Sequence, residues 1–175
     1  MERLKSLFSA IGATAIGGAA LATGIAIAAQ PVSAQAAYGS YIGVGPLYSI
    51  NEDDTGRGEQ VGGVIAVRYK LVDIPISIRT QALIGANPSV VPTISYDIPL
   101  NWQTDAYIGV GASFANGGSP SPTGNRTAFA IQPGIDYALP NSHAVLFGNA
   151  VIAFDAYRDG GGTAVSFQGG AGWRF

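Results

Sequence analysis

The sequence predicts an all-β fold, an eight-stranded antiparallel up-and-down barrel that turns its apolar face outward. Three observations carry this prediction. After residue 36 no stretch keeps a helical apolar period, whereas period-two alternation recurs in eight segments. The breaks between segments are short and rich in Gly, Pro, Asn, Asp and Ser, which is strand-and-turn chemistry. Within each segment one face is large, apolar and aromatic, and the other is small or polar.

The eight segments are 38–49, 59–71, 74–85, 89–99, 105–115, 126–138, 143–156 and 163–175. In the second, Val61, Ile65, Val67, Tyr69 and Leu71 alternate with Gln60, Gly62, Val64, Ala66, Arg68 and Lys70. The third sets Ile74, Ile76, Ile78, Ala82 and Ile84 against Ser77, Arg79 and Gln81. In the sixth, Phe129, Ile131, Ile135 and Tyr137 oppose Gln132, Gly134 and Asp136. The eighth sets Val165, Phe167, Ala171, Trp173 and Phe175 against Ser166, Gln168, Gly170, Gly172 and Arg174. Both faces of the seventh are apolar; Leu146, Ile152 and Phe154 are assigned outward, leaving Asn149 and Asp155 inside.

A water-soluble barrel would bury the greasy face. The polar sets here lack the Lys/Glu cover of a soluble exterior, so the reverse arrangement follows, that of a transmembrane barrel. Segments of this length suit tilted strands crossing a bilayer. The longer connections 50–58, 116–125 and 157–162, with the short 86–88, fall at one rim. The tight ones, 72–73, 100–104 and 139–142, fall at the other, periplasmic, rim.

The first 36 residues have another design. Arg3 and Lys5 precede an apolar run from Leu7 to Ala29, and Ala34-Gln35-Ala36 gives a small-x-small end. This predicts a helical secretory signal peptide over 1–36, cleaved between Ala36 and Ala37, and a barrel domain over 37–175.

Composition excludes several classes. The chain of 175 residues has no cysteine, so disulfides, thiolate metal sites and thiol nucleophiles are out. A formal net charge of −2 gives nucleic acid no reason to bind. His143 is the only histidine, which rules out a histidine-based triad or a multi-histidine metal site. Asn51-x-Asp53-x-Thr55-Gly56 opens like a calcium loop, but position twelve is Gly62 rather than Glu; a solvated acidic loop is expected. No cofactor and no catalysis are expected.

The pentapeptide Tyr-Ile-Gly-Val-Gly occurs at 41–45 and again at 107–111. It lacks the third glycine and following helix of a dinucleotide loop. As a wall element it places Tyr41 and Tyr107 inward with Gly43, Gly45, Gly109 and Gly111, which leave room in a narrow lumen. A barrel of eight strands is filled by its own side chains. Arg68, Arg79, Gln81, Asp97, Gln132, Asp136, Asp155, Gln168 and Arg174 are therefore expected to form an interior polar network. Pro92 and Pro133 lie inside strands and are expected to mark bulges.

The chain ends Phe167-Gln-Gly-Gly-Ala171-Gly-Trp173-Arg-Phe175. This resembles the terminal signal of bacterial outer-membrane barrels, and the whole of 38–175 resembles the small eight-stranded barrels of the OmpA/OmpX/opacity-protein type. The resemblance implies that Phe167, Ala171, Trp173 and Phe175 are read by the outer-membrane assembly machinery. It further implies a monomer held in the lipid bilayer of the outer membrane, with surface glycolipid as a candidate partner. No loop exceeds ten residues, a departure from relatives that act through long surface loops. The function expected is a non-catalytic, plugged barrel with a structural or surface-interaction role. The alternatives are a narrow porin-like channel for ions or small solutes and, third, a secreted soluble barrel binding a small apolar ligand.

Overall fold

The computed structural model describes residues 39–51, 59–71, 73–115, 119, 121–158 and 160–175. Residues 1–36, with Ala34 and Ala36, the cleavage position Ala37, and the acidic residues 52–58 lie outside the described residues.

Eight strands follow in order: β1 Tyr41–Asn51, β2 Glu59–Lys70, β3 Ile76–Ile84, β4 Ser89–Asn101, β5 Thr104–Ala115, β6 Ala128–Ala138, β7 Ala144–Phe154 and β8 Thr163–Arg174. Each pairs antiparallel with the next, and β8 returns to β1 to close the barrel. Closure leaves no edge strand. Both chain ends of the barrel meet at one rim, called here the terminal rim, where the Phe175 N–H donates to the Ser40 carbonyl. The β4–β5 connection is tighter than expected: the strands run on to Asn101 and from Thr104, and the Gln103 N–H bonds the Asn101 side chain.

Alternation holds around the whole wall. Ile42, Val44, Ile94, Ile108 and Val110 are each half or more exposed, while Tyr41, Leu47, Ala66 and Tyr107 between them are buried. In β7, Leu146 and Phe154 are exposed and Val145, Phe147, Asn149 and Val151 are buried, which fixes the register that sequence left ambiguous. Exposed aromatics gather at two levels. Tyr69, Tyr96, Trp102, Tyr137 and Trp173 ring the terminal rim, and Tyr48, Phe114, Phe129, Phe154 and Phe167 ring the opposite side. Tyr137 and Phe129 on β6 are separated by roughly 20 Å along the axis, for a rise of ~3.3 Å per residue and a tilt of ~40°. That spacing fits an apolar band between two aromatic girdles.

The prolines do not make bulges. Pro92 pairs with Thr80 of β3 and Pro133 with Ile108 of β5 in unbroken register. On the other side of each, the pairing with β5 or β7 skips two positions and resumes in the same register. A proline removes one donor on one side only, and both groups of a strand residue point to the same neighbour, so a one-sided gap replaces the expected bulge. The register shift in β4 falls instead between Pro99 and Asn101, beside the tight turn.

Candidate functional site

The site is the lumen, and strand register explains how it is assembled. Arg68 stands opposite Tyr41 and Arg79. Asp97 stands opposite Tyr107, and Asp105 opposite Asp136. Cations thus cluster on β2–β3 and carboxylates on β4–β6. Like charges on neighbouring strands repel. Compensation comes from Asp97 on the strand beside Arg79 and, across the lumen once the barrel closes, from the contacts of Arg68 with Asp97, Asp105 and Asp136 and of Arg79 with Asp136.

Arg68 is wholly buried and donates to three carboxylates: Nη2 to Asp97 (2.8 Å) and Asp105 (3.0 Å), Nη1 to Asp136 (3.0 Å). Its Nε donates to Ser77 Oγ at 3.1 Å. The Arg79 Nη2 lies 2.9 Å from Asp136 and 3.2 Å from Asp97, its Nε donates to Ser95 Oγ, and its guanidinium sits 3.3 Å above the Tyr107 ring centre. Lys70 Nζ adds a contact to Asp97 at 2.8 Å, and the Tyr41 hydroxyl donates to Asp136 at 3.0 Å. Asp97 also accepts from the Ser77 and Ser95 hydroxyls. Three cations meet three carboxylates, so the cluster is neutral, and Arg68, Arg79, Asp97 and Asp136 each have several partners. This is the condition under which buried ions are tolerated.

Gln81, Gln132 and Gln168 are also inward and buried, with Thr93 donating to Gln132 Oε1 at 2.6 Å and Gln168 Nε2 to Ser166 Oγ at 2.7 Å. Two residues assigned to the network from sequence lie elsewhere. Asp155 follows the end of β7 with φ of 54°, so strand parity no longer aims it; it pairs with Arg126 at 3.0 Å, both side chains substantially exposed. Arg174, the last residue of β8, lies at the terminal rim, where its guanidinium donates to the Ser142 carbonyl of the β6–β7 turn. A side chain at a strand end keeps its hydration and finds a turn carbonyl that lacks a ladder partner. Beside it His143 stacks on Trp173, ring centres 5.3 Å apart. Phe167, Ala171, Trp173 and Phe175 all face outward along β8.

The glycines divide into two roles. A Cβ on Gly43 would come within 2.7 Å of the Phe147 ring, and one on Gly109 within 3.2 Å of Thr93; these leave space for side chains. A Cβ on Gly45 or Gly111 would strike a carbonyl oxygen of the adjacent strand at about 2 Å, so there the neighbouring backbone itself comes close.

Sequence reading missed Lys70 and Asp105 as network members, although Lys70 shares parity with Arg68 and Asp105 with Tyr107. It also missed an apolar side to the lumen. Leu47, Val64, Leu83 and Val91, on consecutive strands β1 to β4, are nearly inaccessible and pack in one cluster with Ala130, Phe147 and Val151. The signal was present: Val64 and Ala66 sit on the same parity as Arg68.

A closed eight-stranded antiparallel barrel, apolar outside and filled inside, has the fold of the small outer-membrane β-barrels. Among solved structures it is similar to Neisserial surface protein A (TM-score 0.56, 14% identity, covering 78% of this chain and 97% of that one). It is likewise similar to Ail, the attachment invasion locus protein of Yersinia pestis (0.55, 18%, 79% and 99%), and to the outer membrane protein OprG of Pseudomonas aeruginosa (0.55, 14%, 79% and 96%). No protein-family model matches the chain, and no curated protein matches it in sequence.

Proposed function

We propose that this is an integral outer-membrane protein whose lumen is sealed and whose role is structural or one of surface interaction, without catalysis. The observation that carries the proposal is the inside-out pairing of an apolar wall with a neutral, ion-paired interior. An exposed set such as Val44, Ile94 and Val110 is stable only against lipid, and the Arg68–Arg79–Asp cluster leaves no free charge to conduct ions. Residues 1–36 direct export and are removed, and 37–175 form the barrel. Phe167, Ala171, Trp173 and Phe175 serve as the insertion signal for the assembly machinery. Names given to two similar proteins, a surface protein and an attachment protein, favour contacts made at the loop rim, with surface glycolipid as one partner and the protein acting as a monomer.

The test has three readouts on one preparation. Protein extracted from the outer membrane should have the mass of a chain beginning at Ala37. It should change gel mobility on boiling, as a folded barrel does, and precipitate when detergent is removed. In planar bilayers it should give no stable conductance steps. Steps that disappear when the lumen is filled by larger side chains would replace this proposal with the narrow-channel reading, and a monodisperse detergent-free protein would replace it with the soluble one.

A further inference from the structure

The β5–β6 connection reads in sequence as an exposed polar loop, Asn-Gly-Gly-Ser-Pro-Ser-Pro-Thr-Gly-Asn over 116–125. Its second half is instead buried in the barrel mouth. Ser121 and Thr123 are fully inaccessible and Pro122 nearly so. The turn is self-contained: Ser121 and Gly124 exchange both backbone hydrogen bonds, and the Ser121 hydroxyl donates to the Gly124 carbonyl at 2.6 Å.

This turn reaches several sides of the mouth. The Ser113 hydroxyl on β5 bonds the Thr123 hydroxyl. Pro122 packs against Gly85 after β3, where a Cβ would come within 3.2 Å of its ring. The Asn125 and Arg126 N–H groups both donate to the Ala156 carbonyl after β7. Residues 121–124 carry no charge, and the contacts seen among the described residues are neutral hydrogen bonds and packing. At the opposite end the lumen is held by buried ion pairs. The two closures differ in kind.

Below the turn the described residues that line the lumen are uncharged and incompletely bonded. Ser49 Oγ, Ser89 Oγ, Gln81 Oε1, Gln132 Nε2 and Gln168 Oε1 are buried, in residues at most 5% exposed, and have no hydrogen-bond partner among the described residues. Buried polar atoms left so are costly, and in stable folds water or a bound polar molecule satisfies them. On the β1–β4 side Leu47, Val64, Leu83 and Val91 supply apolar lining beside Ser49, Gln81 and Ser89. Gln132 and Gln168, with Ser166, stand on the other side.

We propose that residues 121–124 form a lid over a blind, uncharged hydrogen-bonding site in the outer half of the lumen. The site takes water and small neutral polar solutes from the loop rim, and the Arg68–Asp cluster is its floor. Among the described residues the lining holds hydroxyls and carboxamides and no ionised group, which disfavours ions as occupants.

The chain has no cysteine, so a single introduced thiol reports access. In the refolded full barrel, Ser89→Cys should react with neutral 2-hydroxyethyl methanethiosulfonate at least tenfold more slowly than the exposed Thr127→Cys. Two lid variants are then compared. Gly124→Val must displace the lid, because φ is 97° and a Cβ would lie 2.2 Å from the Ala156 carbonyl oxygen; Thr123→Val removes only the hydroxyl. Either should raise the Ser89→Cys rate at least tenfold while the heat-modified gel shift is kept. Should Gly124→Val not fold, Thr123→Val decides alone. Water cross-relaxation at the Gln132 and Gln168 side-chain amides should be seen in the unaltered protein. Equal rates for Ser89→Cys and Thr127→Cys, or unchanged rates in folded lid variants, would overturn the lid. Absence of water cross-peaks would overturn the hydrated site.

Discussion

Arg68 is the residue on which the interior depends. It has no exposed surface, and its guanidinium reaches Asp97, Asp105 and Asp136 at once. Arg68→Met keeps most of the volume but leaves three carboxylates to be shared by Arg79 and Lys70. Removing one partner from a buried ion cluster costs about 3–5 kcal/mol. Urea unfolding of the refolded barrel should show a loss of that size, and adding Asp105→Asn should recover part of it, since one uncompensated charge is then gone. If Arg68→Met unfolds at the unaltered midpoint, the cluster is not a source of stability. Most of this site was legible by parity: Arg68, Arg79, Asp97 and Asp136 all fall on the small, polar face of their segments. What parity does not carry is partner choice, which depends on the register of strands far apart in sequence. It also stops at strand ends, which is why Asp155 and Arg174 were placed inside and lie at the rims.

At the scale of the element, eight segments were legible because a wall that is polar or small inside and greasy outside gives period two, although in β7, apolar on both faces, the register was left open. Boundaries differ by a few residues where turns take part in other contacts: β6 begins at Ala128 since the residues before it belong to the mouth turn. Composition could not show that this turn is buried, because Ser, Pro, Thr and Gly suit an exposed loop equally well. The in-strand prolines were recognised as ladder defects, but a sequence does not say whether a missing donor shifts the register or leaves a gap. The register is constant on both sides of Pro133. A residue with an N–H should therefore fit there without rearrangement. Pro133→Val should leave the gel shift intact and stabilise the barrel by about 0.5–1.5 kcal/mol, the net value of one hydrogen bond. A loss of stability in urea would show that the gap toward β7 is required by the wall, for instance to accommodate close approach of the strands.

At the scale of the whole molecule, the question is which solvent the outer surface meets, and a lysine scan by depth answers it. Val110 lies near the middle of β5 on the outward face, paired with Ile94 of β4, and is half exposed. Trp102 lies in the β4–β5 turn at the terminal rim and is more exposed still. On a protein surrounded by water, an exposed valine in a strand can become lysine with a change within about ±0.5 kcal/mol, and the turn position should behave no differently. In a bilayer the two sites are not equivalent. A lysine at mid-depth must leave water or drag it in, at a cost of about 2–4 kcal/mol, whereas at the interface the cost falls to about 0–1 kcal/mol because the ammonium reaches the headgroups. The exposed surface at Val110 is thus expected to be intolerant for the reason that a core position would be, although nothing in the protein covers it. Refolding Val110→Lys and Trp102→Lys into lipid vesicles and measuring their unfolding free energies should give the first a penalty at least 1 kcal/mol larger than the second. Equal, near-zero values would mean that the apolar wall faces water or another protein, and the girdles of Tyr69, Tyr96, Tyr137 and Trp173 would then need a different explanation.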